Sequence, residues 1–222
     1  MASIELTAAD GFKLGAYRAE PRGKARGGIV LVQEIFGVND HVRKVADGYA
    51  ADGYLVIAPA FFDRVQRGFD VGYSQVDMET GRAIVQKLDW NNVMKDCQAA
   101  VDELRRSAGK SAVVGYCWGG TVAWLSAARL QGLACAVAYY GGGVPGFASE
   151  KPACPVMFHW GEKDHSITLE AAGKVEAAHP GAVSYRYPAG HGFNCDQRAS
   201  YDGPSAGLAR ERTLEFLKKH VG

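Results

Sequence analysis

The sequence has almost no net charge. Its 222 residues include 25 lysines and arginines against 24 aspartates and glutamates, so the formal net charge is +1 when the histidines are neutral. A balanced chain of this kind has no electrostatic field that would hold a nucleic-acid backbone or an anionic membrane surface. We therefore expect neither nucleic acid nor membrane among its partners.

The sequence also lacks a hydrophobic amino terminus and a paired cysteine motif. The opening residues MASIELTAADGFKLG carry polar or acidic side chains every few positions, so we expect neither a signal peptide nor a membrane span there. An odd number of cysteines without any CxxC pair is typical of reduced thiols in a reducing compartment. The five are Cys97, Cys117, Cys135, Cys154 and Cys195. These features predict a cytoplasmic protein.

No internal repeat, low-complexity tract or proline-rich linker interrupts the chain. Hydrophobic residues make up 47% and charged residues 22%, which are the proportions of a globular protein that buries a core. A chain of this length is long for one domain and short for two. We therefore expect a single domain over residues 1–222.

Short apolar runs alternate with segments of helical periodicity. After a β-hairpin that turns at residues 10–11, the pattern predicts buried strands at 28–32, 54–58, 111–115, 134–140, 155–160 and 182–187. It predicts helices from Asn39 or Asp40 to about Gly53 and at 90–107, 118–130, 168–178 and 203–220. This alternation specifies an α/β fold with a mostly parallel sheet covered by helices on both faces.

A cysteine lies on a tight turn between a predicted strand and the helix after it. The segment Gly115-Tyr116-Cys117-Trp118-Gly119-Gly120 matches the nucleophile elbow of hydrolases, with cysteine where serine is usual. The glycines let the strand and helix approach each other, and the helix amino terminus favours a thiolate. On this pattern alone, a buried cysteine in a glycine-rich turn is an equal alternative.

An acid and a histidine follow two later strands. Asp164 comes after the strand at 155–160 and His191 after the strand at 182–187, which gives the chain order of an α/β-hydrolase. We predict Cys117 as nucleophile, His191 as base and Asp164 as the acid that orients the imidazole. His159, inside an apolar strand, is expected to be a core residue. The role of acid or base could instead fall to a neighbouring residue, namely Glu162, His165, Asp196 or Asp202.

With these segments in place, the chain resembles the dienelactone hydrolases, also called carboxymethylenebutenolidases. The resemblance covers nearly the whole chain. Besides the cysteine elbow, it is carried by QEIFGV at 33–38, by Gly161-x-x-Asp164 and Gly190-His191-x-Phe193, and by ERTLxFL at 211–217. It implies a hydrolase that opens a small lactone through an acyl-enzyme on the cysteine, without cofactor or metal.

The resemblance also implies roles for residues around the elbow. Glu34 would pair with the Cys117 thiol in the resting enzyme and take its proton when substrate binds. The backbone N–H groups of Ile35 and Trp118 would form the oxyanion hole. Phe36, in the same segment as Glu34, would contact the substrate.

The expected substrate-binding arginines match the family only in part. Family members hold a substrate carboxylate with two arginines, and one of these positions is Cys195 here. Arg198, three residues further on, and Arg82, before the elbow, are the candidates that remain. An arginine is most often a solvated surface residue, so a surface role is the alternative for each.

Other functions stay open at this point. A general esterase or thioesterase acting on a neutral substrate would use the same residues. A non-catalytic thiol redox sensor on the same fold would use Cys117 beside His191. A metal site through His191 and Cys195, four residues apart, has no third and fourth ligand at matching spacing, so we predict no metal.

Overall fold

The computed structural model describes residues 2–222 and contains an eight-stranded sheet. The strands are β1 (Ala2–Thr7), β2 (Lys13–Ala19), β3 (Gly28–Val32), β4 (Leu55–Pro59), β5 (Ser111–Tyr116), β6 (Cys135–Tyr139), β7 (Val156–Gly161) and β8 (Val183–Tyr187). Their order is β1-β2-β4-β3-β5-β6-β7-β8. The β1–β2 and β2–β4 pairs are antiparallel and the others are parallel. The predicted α/β fold is confirmed.

Six α-helices in residues 2–222 connect and cover these strands. They are α1 (Asp40–Ala51), α2 (Gln75–Val85), α3 (Trp90–Ala108), α4 (Trp118–Arg129), α5 (Leu169–Ala178) and α6 (Gly203–His220), with short 3₁₀ helices at Phe61–Arg64 and Val144–Phe147. Within residues 2–222, no helix has the length and apolar character needed to cross a membrane.

Most helix boundaries follow from capping side chains. The choice between Asn39 and Asp40 is settled by a hydrogen bond of 3.2 Å from the Val42 N–H to Asn39 Oδ1, so Asn39 is the N-cap of α1. Thr168 caps α5 in the same way and is therefore outside the helix. A side-chain oxygen at the N-cap satisfies an N–H that has no partner within the helix.

Helix α2 is a correction to the sequence analysis, because the apolar pattern predicts no helix over these residues. A capping box starts this helix, because Ser74 accepts from the Asp77 N–H and Asp77 accepts from the Ser74 N–H. Only Gly81 and Ile84 are buried, so the helix has a narrow apolar face and little hydrophobic periodicity to detect. The helix carries Arg82 to the cavity described below.

The core lies on both faces of the central strands. Every residue of β3, β4, β5, β6 and β7 is buried, as expected for parallel strands covered on two sides. His159 in β7 bonds to the Tyr187 hydroxyl at 2.7 Å and to Thr213 Oγ1 at 3.0 Å. Burial, with a smaller effect of the Arg212 charge, lowers the pKa of His159 to about 3. It is a neutral core histidine, as predicted.

Candidate active site

Cys117 occupies a strained turn between β5 and α4. Its backbone has φ of 57° and ψ of −117°, a conformation that is costly for a residue with a side chain. The Cys117 N–H donates to the Tyr139 carbonyl of the neighbouring strand at 3.0 Å, which holds the turn in place. The turn therefore presents the thiol at the carboxyl end of β5 and at the amino terminus of α4.

Glycine is required on both sides of this turn. A Cβ on Gly115 would lie 1.8 Å from the Gly119 carbonyl oxygen, and a Cβ on Gly119 would lie 2.5 Å from the carbonyl oxygens of Val32 and Gln33. Both distances are far below van der Waals contact with backbone atoms that cannot move independently. The glycines thus allow α4 to begin directly against β3 and β5.

The structure brings Cys117, His191 and Asp164 into one hydrogen-bonded chain. The Cys117 Sγ lies 3.1 Å from His191 Nε2, and His191 Nδ1 lies 2.8 Å from Asp164 Oδ2. The Asp164 side chain is fully buried, and its other oxygen accepts from the N–H groups of Ser166 at 2.7 Å and Ile167 at 3.1 Å. Those two bonds fix the carboxylate so that it holds the imidazole ring facing the sulfur.

The surroundings of His191 favour its charged form. Burial opposes the charge, but the charge on Cys117 and the hydrogen bonds to Asp164 and Cys117 outweigh it and raise the pKa of His191 to about 10. An imidazolium between a sulfur and a carboxylate stabilises the negative charge on both of them. The arrangement is suited to a thiolate–imidazolium pair.

Glu34 is buried near the hydrogen-bonded residues Cys117, His191 and Asp164, and it pairs with Arg198. Arg198 Nη1 donates to Glu34 Oε1 at 2.9 Å, and the side chains are 17% and 3% exposed. The second oxygen, Glu34 Oε2, is buried and has no hydrogen-bond partner within residues 2–222. Burial opposes the charge of Arg198, but Glu34 outweighs it and raises the pKa of the guanidinium.

This pairing differs from the contact expected between Glu34 and the Cys117 thiol. A buried carboxylate gains more from a permanently charged guanidinium than from a neutral thiol, and His191 already occupies the hydrogen-bonding position at the sulfur. Arg198 also stacks over the Phe36 ring, with its guanidinium carbon 5.8 Å from the ring centre. Glu34, Phe36 and Arg198 therefore form one packed unit.

Two residues that line the same cavity as Cys117, Ile35 and Trp118, have backbone N–H groups without internal partners. Ile35 follows Glu34 in the loop after β3, and Trp118 follows Cys117 at the first position of α4. In the described part of the chain, neither N–H donates a hydrogen bond to another residue. Such donors can bind negative charge that develops on a carbonyl oxygen attacked by the sulfur.

A cavity of about 790 Å³ opens in front of Cys117 and His191. Its wall is largely aromatic and aliphatic, with the indole rings of Trp90 and Trp118 stacked 6.1 Å apart. The cationic side chains that line it are Arg82, Lys163 and Arg198. The cavity has the size and the mostly apolar wall of a small-molecule site, with a few cationic groups that can orient a ligand.

The candidate substrate ligands lie in different settings. Arg82 is exposed on α2 at the cavity, whereas Arg198 and Phe36 line it as part of the Glu34 unit. Cys195 is fully buried and does not line the cavity.

The acids and histidines that competed for these roles have other surroundings. Asp202 is the N-cap of α6, and Asp196 lies 3.0 Å from His41 Nδ1. Glu162 is exposed beside the end of β7. His165 is exposed at the cavity, where it is available to a substrate.

Tyr140 and Lys163 are site residues that the sequence did not single out. The predicted strand at 134–140 ends at Tyr139, because Tyr140 adopts φ of 35°, a conformation that no strand continues. Its ring packs edge-on against His191 with centroids 5.2 Å apart. Lys163 precedes Asp164 in the loop after β7, and its position next to a predicted catalytic residue was the available signal.

The chain is similar to known proteins over nearly its whole length. The model of the dienelactone hydrolase family matches residues 14–221. Carboxymethylenebutenolidase 1 of Cupriavidus pinatubonensis is 32% identical to the chain, over 96% of the chain and 95% of that protein. A solved candidate dienelactone hydrolase from Klebsiella pneumoniae is 30% identical, with a TM-score of 0.83 over 97% of this chain and 98% of that chain. A Pyrococcus furiosus esterase, 16% identical with a TM-score of 0.73 over 100% of this chain and 93% of its own, shares the fold alone.

Proposed function

The chain belongs to the dienelactone hydrolase family and is a hydrolase of ester bonds, and from that premise we propose that it opens a small dienelactone-like lactone through an acyl-enzyme on Cys117. The observation that carries the proposal is the chain of hydrogen bonds from Cys117 through His191 to Asp164, at 3.1 and 2.8 Å. The reaction would belong to the cytoplasmic breakdown of aromatic compounds.

In the first half of the reaction, the Cys117 thiolate attacks the lactone carbonyl carbon. A carbon–sulfur bond forms while the carbonyl π electrons move to the oxygen, whose charge is bound by the N–H groups of Ile35 and Trp118. Collapse of this intermediate breaks the ring carbon–oxygen bond, and the leaving oxygen takes the Nε2 proton of His191. The product is a thioester on Cys117 with the opened ring attached.

In the second half, His191 acts as the base. Its neutral Nε2 takes a proton from water as the water oxygen attacks the thioester carbon, and the carbon–sulfur bond then breaks. The sulfur leaves as a thiolate beside a newly protonated imidazole, so the ion pair is restored. Asp164 holds the ring in the tautomer and orientation that both steps need.

Glu34 and Arg198 provide a response to an anionic substrate in this proposal. A substrate carboxylate that binds Arg198 competes with Glu34 Oε1 for the same guanidinium. Glu34 then becomes a buried carboxylate without its counter-charge, which makes it a better proton acceptor. The role that the family resemblance gives Glu34, as acceptor of the thiol proton, would therefore begin only when an anion displaces it from Arg198, and it would convert those enzyme molecules in which Cys117 is still a thiol into the reactive thiolate.

A neutral ester or thioester is the second candidate substrate. Arg198 is already neutralised by Glu34, and most of the cavity wall is apolar, which favours a substrate without a carboxylate. The Cys117, His191 and Asp164 steps would be unchanged. The two candidates differ only in whether Arg82 and Arg198 bind a substrate group.

A substrate panel tests the proposal. Lactones and esters with and without a carboxylate are assayed on the wild type and on Cys117→Ala, which is expected to be inactive on all of them. Asp164→Asn is expected to lose activity while it stays folded, with Asp196→Asn as the matched control that keeps activity. Wild-type turnover by Cys117→Ala, or loss of activity in Asp196→Asn alone, would overturn the assignment.

A further inference from the structure

We propose that His41, Cys195 and Asp196 form a zinc-binding site behind the candidate active site. His41 lies on α1, and the other two residues lie in the segment between β8 and α6. The proposal does not depend on the proposed function, because none of the three residues takes part in the steps above. In sequence the histidine is far from the other two ligands, so no spacing motif reveals the site.

The three donor atoms converge. His41 Nδ1 and Asp196 Oδ1 are 3.0 Å apart, and the nitrogen, sulfur and oxygen donors all lie within 4.8 Å of one another. A point equidistant from three non-bonded atoms at such distances lies about 2.5 Å or less from each, close to the roughly 2.0 to 2.3 Å of zinc bonds to nitrogen, oxygen and sulfur. A contraction of a few tenths of an ångström would complete the coordination.

The donor set and its surroundings suit Zn²⁺ in particular. Imidazole, thiolate and carboxylate are its usual ligands, whereas Mg²⁺ and Ca²⁺ prefer oxygen alone. His41 and Cys195 are buried and Asp196 is exposed, so the ion would have two fixed ligands and one at the surface. Burial and the charge of Glu34 raise the pKa of Cys195 to about 11, and hydrogen bonds from the Tyr73 hydroxyl and the Gln197 N–H offset only part of this effect. The positive charge of the ion would therefore have to displace the thiol proton.

An entry path leads to these ligands from solvent. A cavity of about 330 Å³, separate from the one at Cys117, is lined by His41 and Asp196. Cys195 does not line this cavity, so the ion would approach from the side of His41 and Asp196. Lys44 and Arg210 also line this cavity, and Arg210 is paired with Asp52. The positive charge that would repel an entering cation is therefore mainly that of Lys44.

Zinc binding would join α1 to the segment between β8 and α6. A sulfur–zinc bond forms and the thiol proton of Cys195 leaves to solvent. The proton that His41 Nδ1 donates to Asp196 must also leave Nδ1, so that the ring keeps its remaining proton on Nε2, and the hydrogen bond between the two residues is replaced by two bonds to the ion. The segment that carries Cys195 and Asp196 also carries His191 and Arg198. Zinc would thus fix the segment of the candidate base against α1.

The test measures binding of Zn²⁺ alone by calorimetry, in a Cys117→Ala background. That background is needed because Cys117, His191 and Asp164 are themselves potential zinc ligands. One equivalent of Zn²⁺ is expected to bind, with at least about tenfold weaker binding after Asp196→Asn or Cys195→Ser. Cys154→Ser, which removes a half-buried thiol elsewhere, is the matched control and is expected to leave the Zn²⁺ affinity unchanged.

A second readout uses Co²⁺ in place of Zn²⁺. A bound Co²⁺ is expected to show a thiolate-to-metal absorption band that disappears in Cys195→Ser and remains in Cys154→Ser. Asp196 is exposed, so Asp196→Asn reports on binding even if the buried Cys195 and His41 variants fold poorly. Absence of Zn²⁺ binding in the Cys117→Ala background, or equal affinity after Asp196→Asn, would overturn the proposal.

Discussion

The charge of the His191 imidazole depends on the sulfur beside it. Burial by itself would keep the ring neutral, and the Cys117 charge is the largest contribution that raises its pKa to about 10. Because this pKa lies above the ordinary 6.5, the contacts of the charged imidazole contribute their full stability below about pH 6.5 and lose it as the pH rises through about 10. Around neutral pH the His191 ring therefore carries its second proton without any substrate.

Removal of the thiol is therefore expected to lower the pKa of His191. In Cys117→Ala the hydrogen bond to Asp164 remains but the charge and hydrogen bond of the sulfur are lost, so the imidazole should lose its proton at a lower pH than in the wild type. An NMR titration of the His191 ring measures both values, with His159, which stays neutral in the core, as an internal reference. Equal pKa values in the two proteins would show that Cys117 carries no charge in the resting enzyme.

Glu34 and Arg198 are coupled, and breaking the pair should have two effects. Glu34→Gln leaves the guanidinium of Arg198, 17% exposed, without its counter-charge. Removal of one partner of a buried pair costs about 3 to 5 kcal/mol, with the lower end expected here because Arg198 retains some solvent contact. Urea unfolding measures this loss, and inhibition by simple carboxylates should become stronger because Arg198 is free to bind them.

The double variant Glu34→Gln with Arg198→Gln is the control for this prediction. It removes both charges, so part of the stability lost in Glu34→Gln should return, while the stronger carboxylate inhibition should disappear. If the double variant is destabilised by the sum of the two single changes, the residues are not energetically coupled.

At the scale of elements, the elbow depends on the close approach of α4 to β3. A methyl group on Gly119 would lie 2.5 Å from two β3-side carbonyl oxygens, so Gly119→Ala should displace the start of α4 and with it the Cys117 turn. We expect a loss of stability of more than about 1 kcal/mol and a large loss of activity, measured by thermal unfolding and turnover.

Gly207→Ala is a matched control for that change. Gly207 lies in α6 with nothing within 4 Å of the added Cβ, and alanine is favoured over glycine in a helix by roughly 0.5 to 1 kcal/mol. This variant should be slightly more stable than the wild type and equally active. A Gly119→Ala protein as stable and active as Gly207→Ala would mean that α4 can shift without disturbing Cys117.

Elements with a strong apolar pattern were predictable from the sequence, and those held by polar contacts were not. The buried runs of β3 to β7 leave clear signals because burial depends on local residue types, whereas the start of α1 was narrowed only to Asn39 or Asp40 and Thr168 was predicted inside α5 rather than as its cap. Helix α2 is defined by a capping box and a narrow buried face, which periodicity does not reveal. Tyr140 ends β6 through a positive φ that nothing in its residue type indicates.

At the scale of the whole molecule, the predicted chain order of nucleophile, acid and histidine was enough to place three residues at one edge of a parallel sheet. The partner of Glu34 was not predictable in this way. Glu34 and Arg198 are 164 residues apart in sequence, and their contact depends on how the segment after β8 folds back over the loop after β3. The burial of Cys195 was not predictable for the same reason, because Cys195 lies in that segment and outside any strand or helix.

The net charge of the molecule and the local charge at the cavity affect the capture of an anionic substrate differently. The net charge of +1 provides no long-range attraction, whereas exposed Arg82 and Lys163 beside Arg198 make the cavity locally positive. Exposed charges are screened over about 8 Å at physiological ionic strength. We therefore expect kcat/KM for a carboxylated lactone to fall several-fold between low and high salt, while kcat/KM for a neutral ester of similar size stays constant.

Variants that remove one positive charge each show which residue causes the salt dependence. Arg82→Gln and Lys163→Gln should each flatten the salt response for the anionic substrate and leave the neutral ester unaffected, because neither residue contacts Cys117 or His191 through a hydrogen bond. Lys24→Gln, at an exposed position outside the cavity, is the matched control that keeps the wild-type response. If all three variants respond like the wild type, anion selection rests on Arg198 alone, and the inhibition by carboxylates in Glu34→Gln becomes the deciding measurement.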